Sequence, residues 1–498
     1  MRSRSRAWRR WALAAAATLA FVPGCKRQGR PSESPPTVAA PRPEPRPSTA
    51  GKGESAPMGA GVVLRGARVM TATGVIYPKA DIWVVGDHIE AVGVSIKAKR
   101  NAEIVDVSGK TITPGIIDTH SHIGVYASPG LSAHADGNEM AGPTTAYARA
   151  EDGYWPQDPQ VERARAGGVT TMQILPGSAN LIGGRSVVVK TYPDARSVDD
   201  ARFELAPAGL KMACGENPKR VYKDKGGPVT RMGNLATVRA EFQKAVEYRR
   251  SWKRYRDKLE RWNSRPVDAA GDDGDKGPPD PPARDFALET LADVIEGKLL
   301  VHNHCYRADE MSLMMELANT YGFRIRSFHH AVEAYKIADR LAEHGAAASV
   351  WADWWGFKAE AYDGIRENAA MLSAAGARAI IHSDSAIGIQ RLNQEAAKAM
   401  YAGRRAGIDI SDDEALRWLT ANPAWALGVD GTVGTIEAGK QADLVVWSGD
   451  PFSVYTKVER VYIEGEPVYD VAKAGEPESD FELGLIETAM PDRREARP

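Results

Sequence analysis

Thr113-Pro114-Gly115-Ile116-Ile117-Asp118-Thr119-His120-Ser121-His122 is the stretch on which the fold turns. It is a short apolar run ending in two histidines. On a β-strand, side chains two apart share a face, so His120 and His122 point the same way. Two neutral imidazoles converging on one point suit a divalent, zinc-like ion. His-x-His alone is a weak signal, because two histidines on one strand face can equally be hydrogen-bonded polar residues. A metal site needs further ligands, brought from other strand ends on the same face of a barrel.

Working outward, the chain supplies them. Val301-His302-Asn303-His304 closes an apolar strand, Phe328-His329-His330 closes the next, and Ile380-Ile381-His382-Ser383-Asp384 closes a later one. Of the ten histidines in the chain, His120, His122, His302, His304, His329, His330 and His382 all fall at strand ends. Core histidines placed at random would not gather there, so the metal reading wins. Between roughly 112 and 428, short apolar strands alternate with amphipathic helical segments such as 308–320, 331–344 and 365–375. This alternation predicts an α/β fold, a TIM-like (β/α)8 barrel over 113–428. On either side, β-rich segments at 61–112 and 429–470 predict one small β-sandwich domain built from both termini. A charged helical insertion, 238–285, interrupts the barrel. Its excess of Arg and Lys is read as a solvated face with i,i+4 ion pairs rather than a surface for an anionic partner.

Lys and Arg together number 64 against 65 Asp and Glu, which gives no electrostatic argument for nucleic acid. Residues 1–25 have a different character. Arg2, Arg4, Arg6, Arg9 and Arg10 precede an apolar stretch, 11–22, in the layout of a secretory signal. Val22-Pro23-Gly24-Cys25 resembles a bacterial lipoprotein cleavage box, with Pro23 a departure from its usual form. Lipidation at Cys25, a disordered Pro/Ser/Gly-rich tether over 26–60 and a periplasmic or membrane-tethered location are therefore expected. Arg9-Arg10 also permits twin-arginine export. Three cysteines cannot make a disulfide framework, so Cys214 and Cys305 are expected to be small buried hydrophobes without a catalytic role. Residues 471–498 read as a polar tail.

The first-strand run 114–122 resembles the signature of the amidohydrolase superfamily. Gly434-Thr435-Ile436-Glu437-Ala438-Gly439-Lys440-Gln441-Ala442-Asp443-Leu444-Val445 resembles its C-terminal β-segment. Within it, the chain is most similar to the imidazolonepropionase-like group, including its secreted members. Those members carry matches to His330-Ala331-Val332-Glu333-Ala334-Tyr335-Lys336, Asp353-Trp354-Trp355-Gly356 and Gly215-Glu216-Asn217-Pro218. The resemblance covers residues 60–470. It implies His120 and His122 as ligands of a buried metal, His304 as the fifth-strand ligand and Asp384 as the eighth-strand aspartate. It also implies His330, rather than His329, as the sixth-strand ligand, a choice that strand parity does not make. His302 and His382 are expected to orient ligands. A group bridging two metals is drawn from Glu216, already a carboxylate and slightly preferred, or from Lys211, which must first gain one from CO2. Without a bridge the site holds one metal.

One or two divalent ions, expected to be Zn(2+), would lower the pKa of water and polarise a carbonyl. Asp384 would carry a proton from that water to the leaving nitrogen. The expected reaction is hydrolysis of a C–N bond in a cyclic amide or a dipeptide-like amide. Tyr306, Arg185 and Arg307 are candidate substrate contacts, Arg185 on the strength of a glycine-rich loop after the second strand. Nothing in the chain resembles a P-loop or a dinucleotide fingerprint. Competing readings are an inactive, lipid-tethered binding protein on the same fold, and hydrolysis of an ester or phosphoester bond.

Overall fold

The computed structural model describes residues 60–265 and 277–474. The signal-like segment with Cys25, almost all of the tether, part of the insertion and most of the C-terminal tail lie outside those residues. No helix among the described residues is long and apolar enough to cross a membrane.

Strands β1 (Val62–Met70), β2 (Ile76–Val85), β3 (His88–Gly93), β4 (Glu103–Asp106) and β5 (Thr111–Pro114) come before the barrel. The barrel contributes β6 (Ile116–Ser121), β7 (Val169–Ile174), β8 (Ile182–Lys190), β9 (Gly209–Ala213), β10 (Leu300–His304), β11 (Ile325–His329), β12 (Ala347–Val350) and β13 (Arg378–Ile381). After it come β14 (Leu444–Trp447), β15 (Val458–Ile463) and β16 (Glu466–Asp470). The two outer sets form one mixed sheet in the order β16-β15-β14-β5-β1-β2-β3, with β4 paired to β1. The join is the antiparallel pair β5–β14, which sets Thr113 opposite Val445. Leu64, Val69, Ile82, Ile89, Ile112, Leu444 and Val446 form the core of this sheet.

β5 leads into β6 through Gly115. A Cβ there would lie 2.2 Å from Thr170 Oγ1, so only glycine fits between the sheet and the barrel. A buried ion pair, Lys190 Nζ to Asp443 Oδ2 at 2.7 Å, fastens the end of β8 to the C-terminal β-segment. Asp443 thus ties the barrel to the C-terminal β-segment.

The barrel strands follow the order β6 to β13. Most neighbours are parallel, but β8 runs antiparallel to both β7 and β9. The connection 175–181 is shorter than the roughly dozen residues that a parallel crossover needs, so the chain returns as a hairpin. The glycine-rich stretch expected as a loop therefore enters a strand at Ile182. The seam between β6 and β13 is nearly closed without a regular ladder. Ile117 N donates to Leu419 O at 2.9 Å and Ile381 N to Trp418 O at 3.1 Å, so 418–419 wedges one end. At the other end Asp118 accepts from Ser383 N at 3.1 Å and from Ser383 Oγ, while Asp384 N donates to His120 O at 3.1 Å.

The insertion between β9 and β10 carries a helix of 33 residues, Arg231–Asn263, capped by Thr230. At ~1.5 Å per residue it is about 50 Å long. It buries Asn234, Val238, Phe242 and Ala245 on one stripe, and Lys253–Asp257 is an exposed i,i+4 pair at 2.9 Å.

Candidate metal centre

Parallel strands present their C-terminal ends on one rim, and the candidate ligands meet there. His120 is the fifth residue of β6, and His122 follows that strand. Lys211 is the third residue of β9, His304 ends β10, and His330 directly follows β11. Asp384 follows β13. His330 and Asp384 both have left-handed backbones, φ 57° and 50°. That conformation is unfavourable for residues with a Cβ, and it concentrates where function holds a side chain in place.

Four polar atoms form the centre. His120 Nε2 lies 3.3 Å from His122 Nε2 and 3.5 Å from Asp384 Oδ1. His122 Nε2 lies 3.2 Å from Asp384 Oδ1, and Lys211 Nζ lies 3.5 Å from His120 Nε2. A tetrahedral ion with bonds of about 2.0–2.1 Å places its ligands about 3.3 Å apart, so these spacings fit one ion. His330 and His382 join His120 in a second group whose ligand atoms lie within 4.8 Å of one another. His304 is buried at 2% exposure with both ring nitrogens unpartnered, and its ring centroid is 4.7 Å from that of His330. A buried imidazole with no hydrogen bond is costly unless something else, such as a cation, takes its lone pair. The donor set fits a divalent ion.

Electrostatics prepare these donors. Burial pushes the pKa values of His120, His304, His329 and His330 well below the usual imidazole value, His302 to about 3 and His382 to about 4. All are thus neutral near pH 7, as metal ligands must be. Hydrogen bonds on the far nitrogens orient the rings. His122 Nδ1 donates to Leu175 O at 2.8 Å, leaving Nε2 free. His120 Nδ1 meets His329 Nδ1 at 2.8 Å, and His329 Nε2 meets His302 Nδ1 at 3.1 Å. His382 Nδ1 pairs with Val350 O at 3.1 Å and turns Nε2 to His330 Nδ1, 2.7 Å away. Trp351 stacks on the rings of both His330 and His382, with centroids at 4.5 and 4.9 Å.

The two candidate bridging residues are placed differently. Lys211 is 0% exposed; its Nζ donates to Pro176 O at 2.9 Å, and burial lowers its pKa to about 7. Glu216 opens the helix Glu216–Tyr222 and faces Lys358 Nζ at 3.7 Å. It belongs to neither ligand group found among the described residues.

Of the candidate substrate contacts, Tyr306 is at the centre, buried, with its ring centroid 5.0 Å from that of His304. The other two point elsewhere. Arg185, on β8, turns to the helix Phe286–Ile295, donating to Thr290 Oγ1 and Asp293 Oδ2 at 3.0 Å each. Arg307 caps the helix Ala308–Tyr321 and makes a forked pair with Asp309 at the surface. The strand–helix layout brings such arginines to the rim but does not fix which way they point.

Cys214 and Cys305 form a disulfide with Cα atoms 5.2 Å apart, which corrects the expectation of two free thiols. The reason is register. Ala213 pairs with His304 across β9 and β10, so the next residue of each strand falls at bridging distance. Sequence reasoning also missed Asp118, whose pKa burial raises to about 7, and Lys358, whose ammonium sits 3.9 Å over the Tyr306 ring. Asp118 stood inside the first-strand motif and was legible there; Lys358 left no signal.

Comparison with known proteins agrees with this geometry. A profile described as "Amidohydrolase family" matches residues 291–474. The solved structure of an amidohydrolase from Thermotoga maritima MSB8 superposes with a TM-score of 0.71 at 35% identity, covering 82% of this chain and 100% of that one. Amidohydrolase tasK of Hapsidospora irregularis is 34% identical over 414 residues, 78% of this chain, and the chain spans 40% of that relative's length. An imidazolonepropionase of Mesorhizobium japonicum is 26% identical over 418 residues, covering 78% of this chain and 88% of the relative. With a histidine-rich ligand cluster at the rim of a nearly closed barrel and these relatives, the chain belongs to the amidohydrolase family.

Proposed function

We propose that the protein is an exported hydrolase of C–N bonds in small amides, dipeptide-like or cyclic, working with two divalent ions, Zn(2+) by ligand type. The observation that carries this reading is a pair of ligand groups sharing His120: His120 Nε2, His122 Nε2 and Asp384 Oδ1 lie 3.2–3.5 Å from one another, and His120, His330 and His382 bring ligand atoms within 4.8 Å of one another. Bound there, the ions supply a Lewis acid and water of lowered pKa.

The chain's own residues do the rest. Lys211 is proposed as the bridge in place of Glu216. Its lowered pKa makes the neutral amine available at neutral pH, and a neutral amine is the form that adds to CO2 to give a carbamate. Glu216, engaged with Lys358, is not positioned beside His120. Asp384 Oδ1 lies against both first-strand histidines and Oδ2 lies 3.7 Å from His330 Nε2. From there it takes the proton of the attacking water and returns it to the departing nitrogen. Tyr306 and Trp351 wall the centre with aromatic surface, which keeps bulk water away from the neutral imidazoles.

Export and a lipid anchor at Cys25 belong to the same reading. The Cys214–Cys305 disulfide supports export, because such bonds persist in oxidising compartments; the anchor rests on the Cys25 segment alone.

The test is turnover of a panel of dipeptides, N-acyl amino acids and cyclic amides by metal-replete protein, by chelator-treated protein and by Asp384→Asn. Release of amine that needs both the metal and Asp384 supports the reading. Equal turnover with and without Asp384, or turnover of esters alone, contradicts it.

A further inference from the structure

Beside the ligand cluster, between segments 351–355 and 364–368, lies a cavity of about 280 Å³. Its walls are Trp351, Trp354 and Trp355 with Val332 and Ile365. Trp351 stacks on Trp354 at a centroid distance of 4.7 Å, and the same indole stacks on His330 and His382. The cavity therefore shares one wall with the candidate metal centre without containing any of its ligands.

Two lining groups have unused bonding capacity. Arg366 is exposed and has no ion pair or hydrogen bond among the described residues. Asn368 is 2% exposed; its Nδ2 donates to Ala331 O and Val332 O at 3.0 Å each, while Oδ1 has no donor. A buried acceptor left unsatisfied is costly, and a ligand N–H or O–H would relieve it. The acid in the cavity, Asp353, is held by Lys398 at 3.2 Å, so the unbalanced charge is the guanidinium of Arg366. The volume is near the lower end of ligand cavities, about 300–1,000 Å³, which is room for one or two rings.

We propose that this cavity binds a small aromatic carboxylic acid carrying a hydrogen-bond donor. The ring packs on the indoles of Trp354 and Trp355, the carboxylate pairs with Arg366, and the donor reaches Asn368 Oδ1. Trp351 then connects occupancy of the cavity to the position of His330 and His382.

The test is titration calorimetry of the full chain with para-hydroxyphenylacetate, which has the ring, the carboxylate and an O–H. The neutral para-hydroxyphenylacetamide serves as control. Expected is one saturable site that survives chelator treatment. Its affinity should fall about tenfold or more for the amide, and likewise in Arg366→Ala, since one charge-assisted hydrogen bond is lost. Trp354→Ala should weaken both probes alike, and circular dichroism checks that each variant is folded. No saturable binding up to about 10 mM overturns the proposal. So does binding that vanishes on chelation and ignores Arg366→Ala, which would place the carboxylate on the metal centre instead.

Discussion

Replacing Lys211 by methionine is expected to stabilise the metal-free protein while emptying the metal centre. The amine lies fully buried on β9, where burial takes its pKa from 10.5 to about 7. Between those two values the unfolded chain binds more protons than the folded one, so this group makes stability rise with pH from about 7 to 10.5. At pH 7 the difference amounts to roughly 4 kcal/mol of unfavourable charge burial. Methionine has nearly the same shape and no charge. It gives up the hydrogen bond to Pro176 O, worth about 1 kcal/mol. The net expectation is a metal-free Lys211→Met protein more stable by roughly 3 kcal/mol at pH 7, with the gap closing toward pH 10. Denaturant unfolding of chelator-treated wild type and variant, followed by tryptophan fluorescence at both pH values, reads this directly. A variant no more stable than wild type at pH 7, or a gap that does not change with pH, refutes the reasoning.

Other outcomes follow from the same structure. Asp384→Asn should keep the fold and lower kcat by about 10²–10⁴, measured on any substrate that the wild type turns over. Opening the disulfide with Cys305→Ser, which frees a loop of 91 residues, should cost about 4–5 kcal/mol on the chain-entropy account, seen as a lower thermal midpoint that reductant no longer shifts. Acid should unfold the metal-free protein steeply. The histidines whose pKa values burial depresses, among them His302 at about 3 and His382 at about 4, bind protons in the unfolded chain before they do in the folded one. Their contribution to stability therefore falls as pH drops below about 6.5. Asp118, raised to about 7, works the other way, as do Asp158, Glu310 and Asp413, whose pKa values burial also raises, but the depressed histidines outnumber these carboxylates. A flat stability profile from pH 7 to 5 would contradict this.

The barrel and the gathering of histidines at its rim were legible because both are written locally. Strand ends show as apolar runs that stop at polar residues, and parallel strands must bring such ends to one rim. His120, His122, His304, His330 and Asp384 could be read this way, with the resemblance choosing His330 over His329. What stayed hidden depends on direction and on distant packing. Arg185 and Tyr306 both read as flanking strand ends, yet Arg185 lies within β8 and turns outward to a helix, while Tyr306 lies beside His304. The disulfide depends on the register of β9 against β10, which a sequence separation of 91 conceals. The reversal of β8 could have been deduced from the shortness of 175–181, but its glycines read as a loop. Between Lys211 and Glu216 the sequence offered two carboxylate sources, and the proposal of Lys211 leans on its place beside His120 Nε2.

The most direct test of the central claim is the metal content of purified protein, by elemental analysis, for wild type, Lys211→Ala and Glu216→Gln. The expected result is about two equivalents of a zinc-like ion in wild type and in Glu216→Gln, with marked loss in Lys211→Ala. Wild-type protein that holds no metal even after reconstitution would contradict the account, and loss confined to Glu216→Gln would overturn Lys211 as the bridge.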